Sequence, residues 1–459
     1  MLRRLVFEKK LTGMGLRFAI VLGLLVSFSG LATAGPKYVL SVRGNTLQQV
    51  LNANRLNLER TIYSNGQKTV AIVSVPDSAS PSLASQVVTN PNVTSFDPDR
   101  QLSSKPPVTA SLSSFLTNFQ TYAFSLQSDQ QKKRSFASQS PLWVIGAPAG
   151  NQGNGKTVAV IDTGVDPDHP LLAGHLTAGA DCVGANGAAG NCASGIPSIW
   201  NDAKLDQSTV VILDQSTVVI LDQSTVVILD QSTVVILDAK SAQSLQGKTL
   251  PSDTGHGTIV ASLIAAAAPG AKIMPIRAFQ ADGSSNLSDV VAAIYYAINN
   301  NADVINMSFD INSDIQSVKD AIAAADAAGI VLVASADNQN SNTPVYPAAY
   351  SPVIGVGSTD SIFGIYKSSF SQYGKPTVDL YAPGENLIAA YPGGHYAIVS
   401  GTSFSTAFVS AAAATLASTT PGQSTNAYYN ALTKSGPFVY APHDGNRRLS
   451  LGAALDRID

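Results

Sequence analysis

Thr157-Val158-Ala159-Val160-Ile161-Asp162-Thr163-Gly164-Val165-Asp166 is the stretch of this 459-residue chain that decides its fold. Thr157–Ile161 is short, apolar and β-branched, with no polar alternation, so it reads as a strand covered on both faces. Asp162 follows directly, and Gly164 lets the chain turn away. The same signature recurs at Lys272–Pro275, Val304–Met307, Ile330–Ala334 and Val353–Val356. Between several of these lie Ala-rich helical runs, Thr258–Ala268, Asn286–Asn300 and Ile315–Ala328. Such alternation predicts an α/β, doubly wound, mostly parallel sheet with helices on both faces. In open sheets of this kind ligands bind beyond the carboxyl ends of the strands. Asp162 sits at one such end and Asn338 shortly after another.

Two further segments carry side chains suited to acyl transfer. Gly255-His256-Gly257-Thr258 places a histidine between glycines at the head of an apolar helix. A helix start disfavours the protonated imidazole, which suits a neutral resting base, although a histidine there can also simply cap its helix. Ser400-Gly401-Thr402-Ser403-Phe404-Ser405-Thr406 leads into an apolar run, Ala407–Ala417, expected to be helical. A serine at that point lies where backbone N–H groups converge, and alone it would read as an N-cap. A strand-end Asp is likewise common in α/β proteins. Taken in chain order as Asp, His and Ser, the three segments make one constellation: a carboxylate that orients a base, the base, and a nucleophile.

IDTGVD, GHGT and SGTS, standing in that order, resemble the signatures of subtilisin-like serine proteases, the subtilases. APGAKIMPIRAF, ADVINMSF, FSQYG and LYAPGENL extend the resemblance over most of residues 142–459. It implies a catalytic triad of Asp162, His256 and Ser403, with Asn338 as side-chain donor to the oxyanion. It implies substrate-binding walls at Ser308-Phe309-Asp310 and Ser335-Ala336-Asp337. Activity then means hydrolysis of peptide bonds in polypeptide substrates, with no cofactor required for catalysis. Some positions depart from the family. Ala407 and Phe408 replace a Pro-His pair, and Asp310 and Asp337 replace glycines. Carboxylates in pocket walls would attract Lys or Arg, while Phe309 in the same wall favours apolar residues. His256 to Pro269 is one loop shorter than usual. The missing loop is where relatives hold tight calcium, so no metal site is assigned, and a structural calcium elsewhere stays open.

The remainder of the chain frames this core. Arg3, Arg4, Lys9, Lys10 and Arg17 precede the apolar run Phe18–Val26, and Ala32-Thr33-Ala34 closes an export signal with cleavage expected after Ala34. Residues 35–101 read β-α-β-β-α-β, with Asn65-Gly66 as a hairpin turn between Arg60–Ser64 and Lys68–Val75. That order is ferredoxin-like and resembles the pro-domain of subtilisin-type proteases, which assists folding and then inhibits. Residues 102–141 read as an exposed linker containing Lys132-Lys133-Arg134, itself a fitting substrate for a basic-specific pocket. The catalytic domain is expected over 142–459.

Charge supports docking between the two halves. Residues 1–141 carry 15 Lys and Arg against 6 Asp and Glu; residues 142–459 carry 13 against 25. Overall net charge is only -3, with 45% hydrophobic and 13% charged residues, which points to no nucleic-acid partner and to a globular chain. No other run is long enough for a membrane span, and a secreted monomer is expected. Cys182 and Cys192 are the only cysteines; in an exported protein they are expected to join as a disulfide across a surface loop. Finally, residues 205–236 are four identical copies of LDQSTVVI. Their identity marks a young duplication, expected to be a loop insertion of turns and short strands without a catalytic role.

Overall fold

The computed structural model describes residues 36–76, 83–102, 129–147, 150, 152–183, 192–199, 228–229, 232–236, 255–281, 283–441 and 445–458. The expected export signal, most of the repeat and residues 103–128 of the expected linker lie outside the described residues.

The small domain is built from β1 (Lys37–Arg43), α1 (Leu47–Asn54), β2 (Asn57–Ser64), β3 (Lys68–Ser74), α2 (Leu83–Val88) and β4 (Val93–Pro98). Its antiparallel sheet has the order β2-β3-β1-β4, the ferredoxin-like arrangement. The hairpin closes as its sequence predicts. Asn65 Oδ1 accepts from the amides of Gln67 at 3.0 Å and Lys68 at 2.9 Å, and Gly66 takes φ +80°. Alternation splits the strands between two cores. Leu40, Val42, Ala71 and Val73 pack under α1 and α2, whereas Val39 and Val70 join a core of the large domain. A short strand, β5 (Gln101–Leu102), follows.

The expected linker is shorter than its composition suggests. Residues 129–144 form α3 (Asp129–Ala137) and α4 (Ser140–Val144), packed on the large domain. Phe136 is buried against Tyr396 and Ile398. The Gln139 amide binds Ile388 at both backbone ends, Nε2 to its carbonyl at 3.0 Å and Oε1 from its N–H at 3.0 Å. Lys132-Lys133-Arg134 is therefore helical, and Lys132 is buried, which removes it as a ready cleavage site.

The large domain continues with β6 (Thr157–Asp162), β7 (Gly179–Asp181), β8 (Ala193–Gly195), β9 (Ile228–Leu229), β10 (Ser232–Ile236), α5 (His256–Ala267) and β11 (Lys272–Arg277). Next come β12 (Ser285–Asn286), α6 (Leu287–Asn299), β13 (Val304–Met307), α7 (Gln316–Ala327), β14 (Val331–Ser335), β15 (Ile354–Thr359) and β16 (Leu380–Pro383). It ends with β17 (Leu387–Tyr391), β18 (His395–Ser400), α8 (Thr402–Thr419), α9 (Thr425–Thr433), β19 (Arg447–Arg448) and α10 (Leu451–Ile458). Nine strands form one sheet in the order β19-β16-β15-β14-β13-β6-β11-β7-β8, parallel except for the β7–β8 pair. β6 lies inside it and deals its side chains alternately to two cores. Val158 and Val160 share a core with α5 and α8, while Ala159 and Ile161 share one with α6 and α7. This is the doubly wound α/β fold that the alternation of strands and helices predicts.

One boundary differs in a way that matters. α8 begins at Thr402, not Ala407, so Ser403 lies inside its first turn. Ser and Thr compete with helix when their hydroxyls bond nearby backbone groups in non-helical conformations. Here Thr402 through Ala417 are buried without interruption, and Thr406 Oγ1 folds back onto the Thr402 carbonyl at 2.8 Å. The described part of the repeat forms short strands, as its alternation of turn-like and strand-like residues suggests. Its fourth copy supplies β10, which pairs antiparallel with β18, and β9, at the junction of the third and fourth copies, pairs with β10.

The small domain docks through α6 and α7. Asp97 Oδ2 accepts from the Ser317 amide at 2.6 Å, and Asp99 Oδ1 from the Ser288 amide at 3.0 Å, so each carboxylate sits at a helix N-terminus. Tyr63 stacks on Tyr295 at 4.3 Å, and Lys68 pairs with Asp320 at 2.8 Å. β5 extends the contact by pairing antiparallel with β12.

Candidate active site

β6 ends with Asp162, whose carboxylate is fixed before any partner arrives. Oδ1 accepts from the Thr163 amide at 2.7 Å and lies 3.3 Å from the Thr163 hydroxyl. His256 is the first residue of α5, and its Nδ1 lies 3.0 Å from Asp162 Oδ1 and 2.9 Å from Oδ2. A carboxylate on Nδ1 makes that nitrogen the N–H donor and leaves Nε2 as the basic atom. The approach of α5 to β6 depends on a missing side chain. A Cβ on Gly257 would stand 2.1 Å from the Gly164 carbonyl oxygen and 3.2 Å from Asp162 Cβ. Gly164 itself adopts φ +91°, which turns the chain away beyond Asp162. Two cross-links complete the corner: Gly257 N–H to Thr163 Oγ1 at 3.2 Å and Asp166 N–H to Thr258 Oγ1 at 2.9 Å.

β18 and Gly401 deliver Ser403 to the same corner. The His256 ring is 5.6 Å from that of Phe404, the residue after Ser403. Ser403 Oγ donates to the Ser308 carbonyl at 3.2 Å, and Ser308 Oγ donates to the Ser403 carbonyl at 2.9 Å. Asn338, past the end of β14, accepts from the Thr402 amide through Oδ1 at 2.9 Å. With its oxygen held by an N–H donor, the Asn338 amide is oriented so that its nitrogen is the donor end. The position beside Ser403 thus combines a side-chain amide and the N-terminal N–H groups of α8.

The two expected pocket segments also meet. Ser308-Phe309-Asp310 leaves β13 and Ser335-Ala336-Asp337 closes β14, with Ser335 Oγ 3.4 Å from the Phe309 carbonyl. Phe309 packs on Phe279 at 4.9 Å. Asp337 holds φ +77°, the left-handed region that favours glycine, and its Oδ1 accepts from the Asn338 amide at 2.6 Å. That carboxylate oxygen braces the residue carrying the amide donor. Asp310 is the wall carboxylate that is only partly buried. Away from the site, Cys182 and Cys192 are joined, S–S 2.03 Å. Among the described residues there is no cluster of three or more His, Cys, Asp or Glu able to hold a metal ion, and no helix long and apolar enough to cross a membrane.

Sequence reasoning misses the residues that brace the triad. Thr163 holds Asp162 and meets Gly257. Behind Ser308, a buried chain runs from Asn306 Nδ2 to Ser308 Oγ at 2.9 Å and from Ser410 Oγ to Asn306 Oδ1 at 2.9 Å. Asn306 had a signal in the sequence, as the one polar residue inside an otherwise apolar strand. Ser410, one hydroxyl among many in an Ala-rich helix, had none.

Known proteins resemble this chain in sequence and in fold. The thermostable alkaline protease of Halalkalibacterium halodurans is 35% identical over 199 residues, covering 41% of this chain and 54% of that protein. Subtilisin BL of Lederbergia lenta is 35% identical over 179 residues, covering 37% of this chain and 65% of the relative. The chain thus spans less than two thirds of either relative's length. Fervidolysin from Fervidobacterium pennivorans, described as a keratinolytic enzyme related to subtilisin, shares the fold with a TM-score of 0.64 and 21% identity, over 93% of this chain and 62% of that one. The sequence profile of the Subtilase family matches residues 153–437, more than half of the chain, and this protein belongs to that family.

Proposed function

We propose that this chain is a serine endopeptidase, exported with a cleavable signal and carrying its own pro-domain. The observation that carries the reading is the bonding of His256 Nδ1 to both oxygens of Asp162, with Ser403 brought to the same corner. Ser403 Oγ attacks the scissile carbonyl while His256 Nε2 takes its proton. Asp162 holds Nδ1–H and stabilises the imidazolium that forms. The Asn338 amide and the Ser403 N–H receive the oxyanion. His256 then protonates the leaving amine, and water activated by the same base releases the acyl group from Ser403. These steps call on no cofactor. Residues 35–101 are the pro-domain in this reading, supported by Asp97 and Asp99 on the N-termini of α7 and α6. The enzyme acts as a monomer on polypeptides outside the cytoplasm. A fluorophosphonate probe tests it. Covalent labelling that maps to Ser403 and disappears in His256→Ala is expected; an unlabelled, folded protein would make the chain a protease-like binding module.

A further inference from the structure

β18 ends at Ser400, three residues before Ser403, and its outer edge is covered by the chain's own repeat. Thr233, Val234, Val235 and Ile236 pair with Ser400, Val399, Ile398 and Ala397. The strand sequence Thr-Val-Val-Ile occurs identically at 209–212, 217–220, 225–228 and 233–236. We propose that the outer edge of β18 is a strand-accepting site for which the four copies are interchangeable occupants, so that any single copy covers the edge beside the nucleophile.

Three observations support interchange. First, the backbone of β18 sees the same backbone and the same side chains whichever copy arrives. Second, the repeat is eight residues long, an even number. A shift by one copy therefore leaves every side chain on the face it had, whereas an odd slip would turn them over. Third, both ends of the insertion are fastened near the β17–β18 turn. Ile199 binds Val165, next to Asp166, whose Oδ2 accepts from Gly393 N–H at 2.8 Å. At the other end, a Cβ on Gly255 would touch the Tyr391 ring at 2.7 Å and Pro392 at 3.0 Å. The nine residues from 200 to 208 can extend roughly 30 Å, enough for even the first copy to reach the edge. Lengthening the loop on either side costs little, because closure entropy grows only with the logarithm of length.

The inference concerns the edge and does not depend on the proposed chemistry, so its test is read by hydrogen exchange over residues 395–400 in the full chain carrying Ser403→Ala. Adjacent strand amides point to opposite sides, so a Pro pair guarantees loss of one bond to β18. Val234→Pro with Val235→Pro in the fourth copy alone should leave exchange within about twofold of the parent, because another copy takes the place. The same pair placed in all four copies, at Val210, Val211, Val218, Val219, Val226, Val227, Val234 and Val235, should speed exchange at least about tenfold. Deleting residues 205–236 should match that eightfold-substituted chain, and deleting 205–228, which leaves one copy, should match the parent. Fast exchange from the fourth-copy pair alone would overturn interchange. Parent-like exchange with no intact copy would overturn the strand site itself.

Discussion

Ser308 and Ser403 bind each other twice, each hydroxyl donating to the other's carbonyl, at 2.9 Å from Ser308 and 3.2 Å from Ser403. The nucleophile's backbone is thereby tied to the strand that supplies one pocket wall. Ser308→Ala keeps the carbonyl that receives Ser403 Oγ but removes the tether and leaves Asn306 Nδ2 without that acceptor. A loss of about 1–2 kcal/mol is expected, read as a lower Tm and a several-fold lower kcat at nearly constant KM. An unchanged Tm and kcat would show that the pair is incidental.

Asn338 has two functions that one substitution can separate. Asn338→Asp keeps an oxygen for the buried Thr402 amide but removes the N–H2 donor. The fold should persist while kcat falls about 10²–10³-fold, with little change in KM. Burst-phase and steady-state kinetics on a peptide ester check this; a rise in KM alone would place Asn338 outside the oxyanion site.

Gly257 has no room for a methyl group. Gly257→Ala puts Cβ against backbone at Gly164, which no side-chain rotamer can relieve. Overpacking of this kind costs about 1–3 kcal/mol, and the displacement falls on the contact between His256 and Asp162. Calorimetry should show the destabilisation, and the loss of kcat should exceed what the Tm shift explains.

His169 gives the fold an acid limit. It is buried, its Nδ1 accepts from the Leu171 amide at 3.1 Å, and its Nε2 therefore donates to the His395 carbonyl at 2.9 Å. Burial pushes its pKa below the ordinary value, against the opposing pull of the His395 carbonyl and Asp166; His395 and Lys133 add repulsion. With the folded pKa depressed, the unfolded state binds more protons in the window below about pH 6.5. Stability from this residue is complete above that pH and is lost as pH falls toward the folded pKa. Urea unfolding of the Ser403→Ala protein between pH 8 and 5 should show the decline, and His169→Gln should flatten it. Equal slopes in both proteins would assign the acid sensitivity elsewhere.

What could be read in the sequence follows from where the forces are local. Strands such as Thr157–Ile161 carry apolar residues on both faces, and burial on both faces is what the sheet gives them. Asn65-Gly66 fixes its hairpin by its own side chain. The head of α8 is different. Thr402, Ser403, Ser405 and Thr406 are hydroxylic and look like caps, and only tertiary burial makes the segment helical. The packing of α3 likewise rests on Phe136 and Gln139 finding partners some 250 positions away in sequence, which no local pattern announces. The strand formed by the fourth repeat copy is long-range in the same sense. It exists because β18 offers an open edge.

Asp97 and Asp99 provide a test of how the small domain is held. Each accepts a backbone N–H at the start of a helix, Asp97 at α7 and Asp99 at α6, where the positive end of the helix dipole adds to the bond. Capping interactions of this type are worth about 0.5–2 kcal/mol each. The caps lie on separate helices, so their losses should be nearly additive. In the full chain carrying Ser403→Ala, Asp97→Ala and Asp99→Ala should each speed hydrogen exchange across α6 and α7 and across residues 37–98. The double variant should show roughly the product of the two effects. Lys68→Ala, which breaks only a partly exposed ion pair with Asp320, should change exchange far less. If Lys68→Ala matched either cap variant, charge attraction rather than helix capping would hold the domain, and added salt would then weaken the parent contact as well.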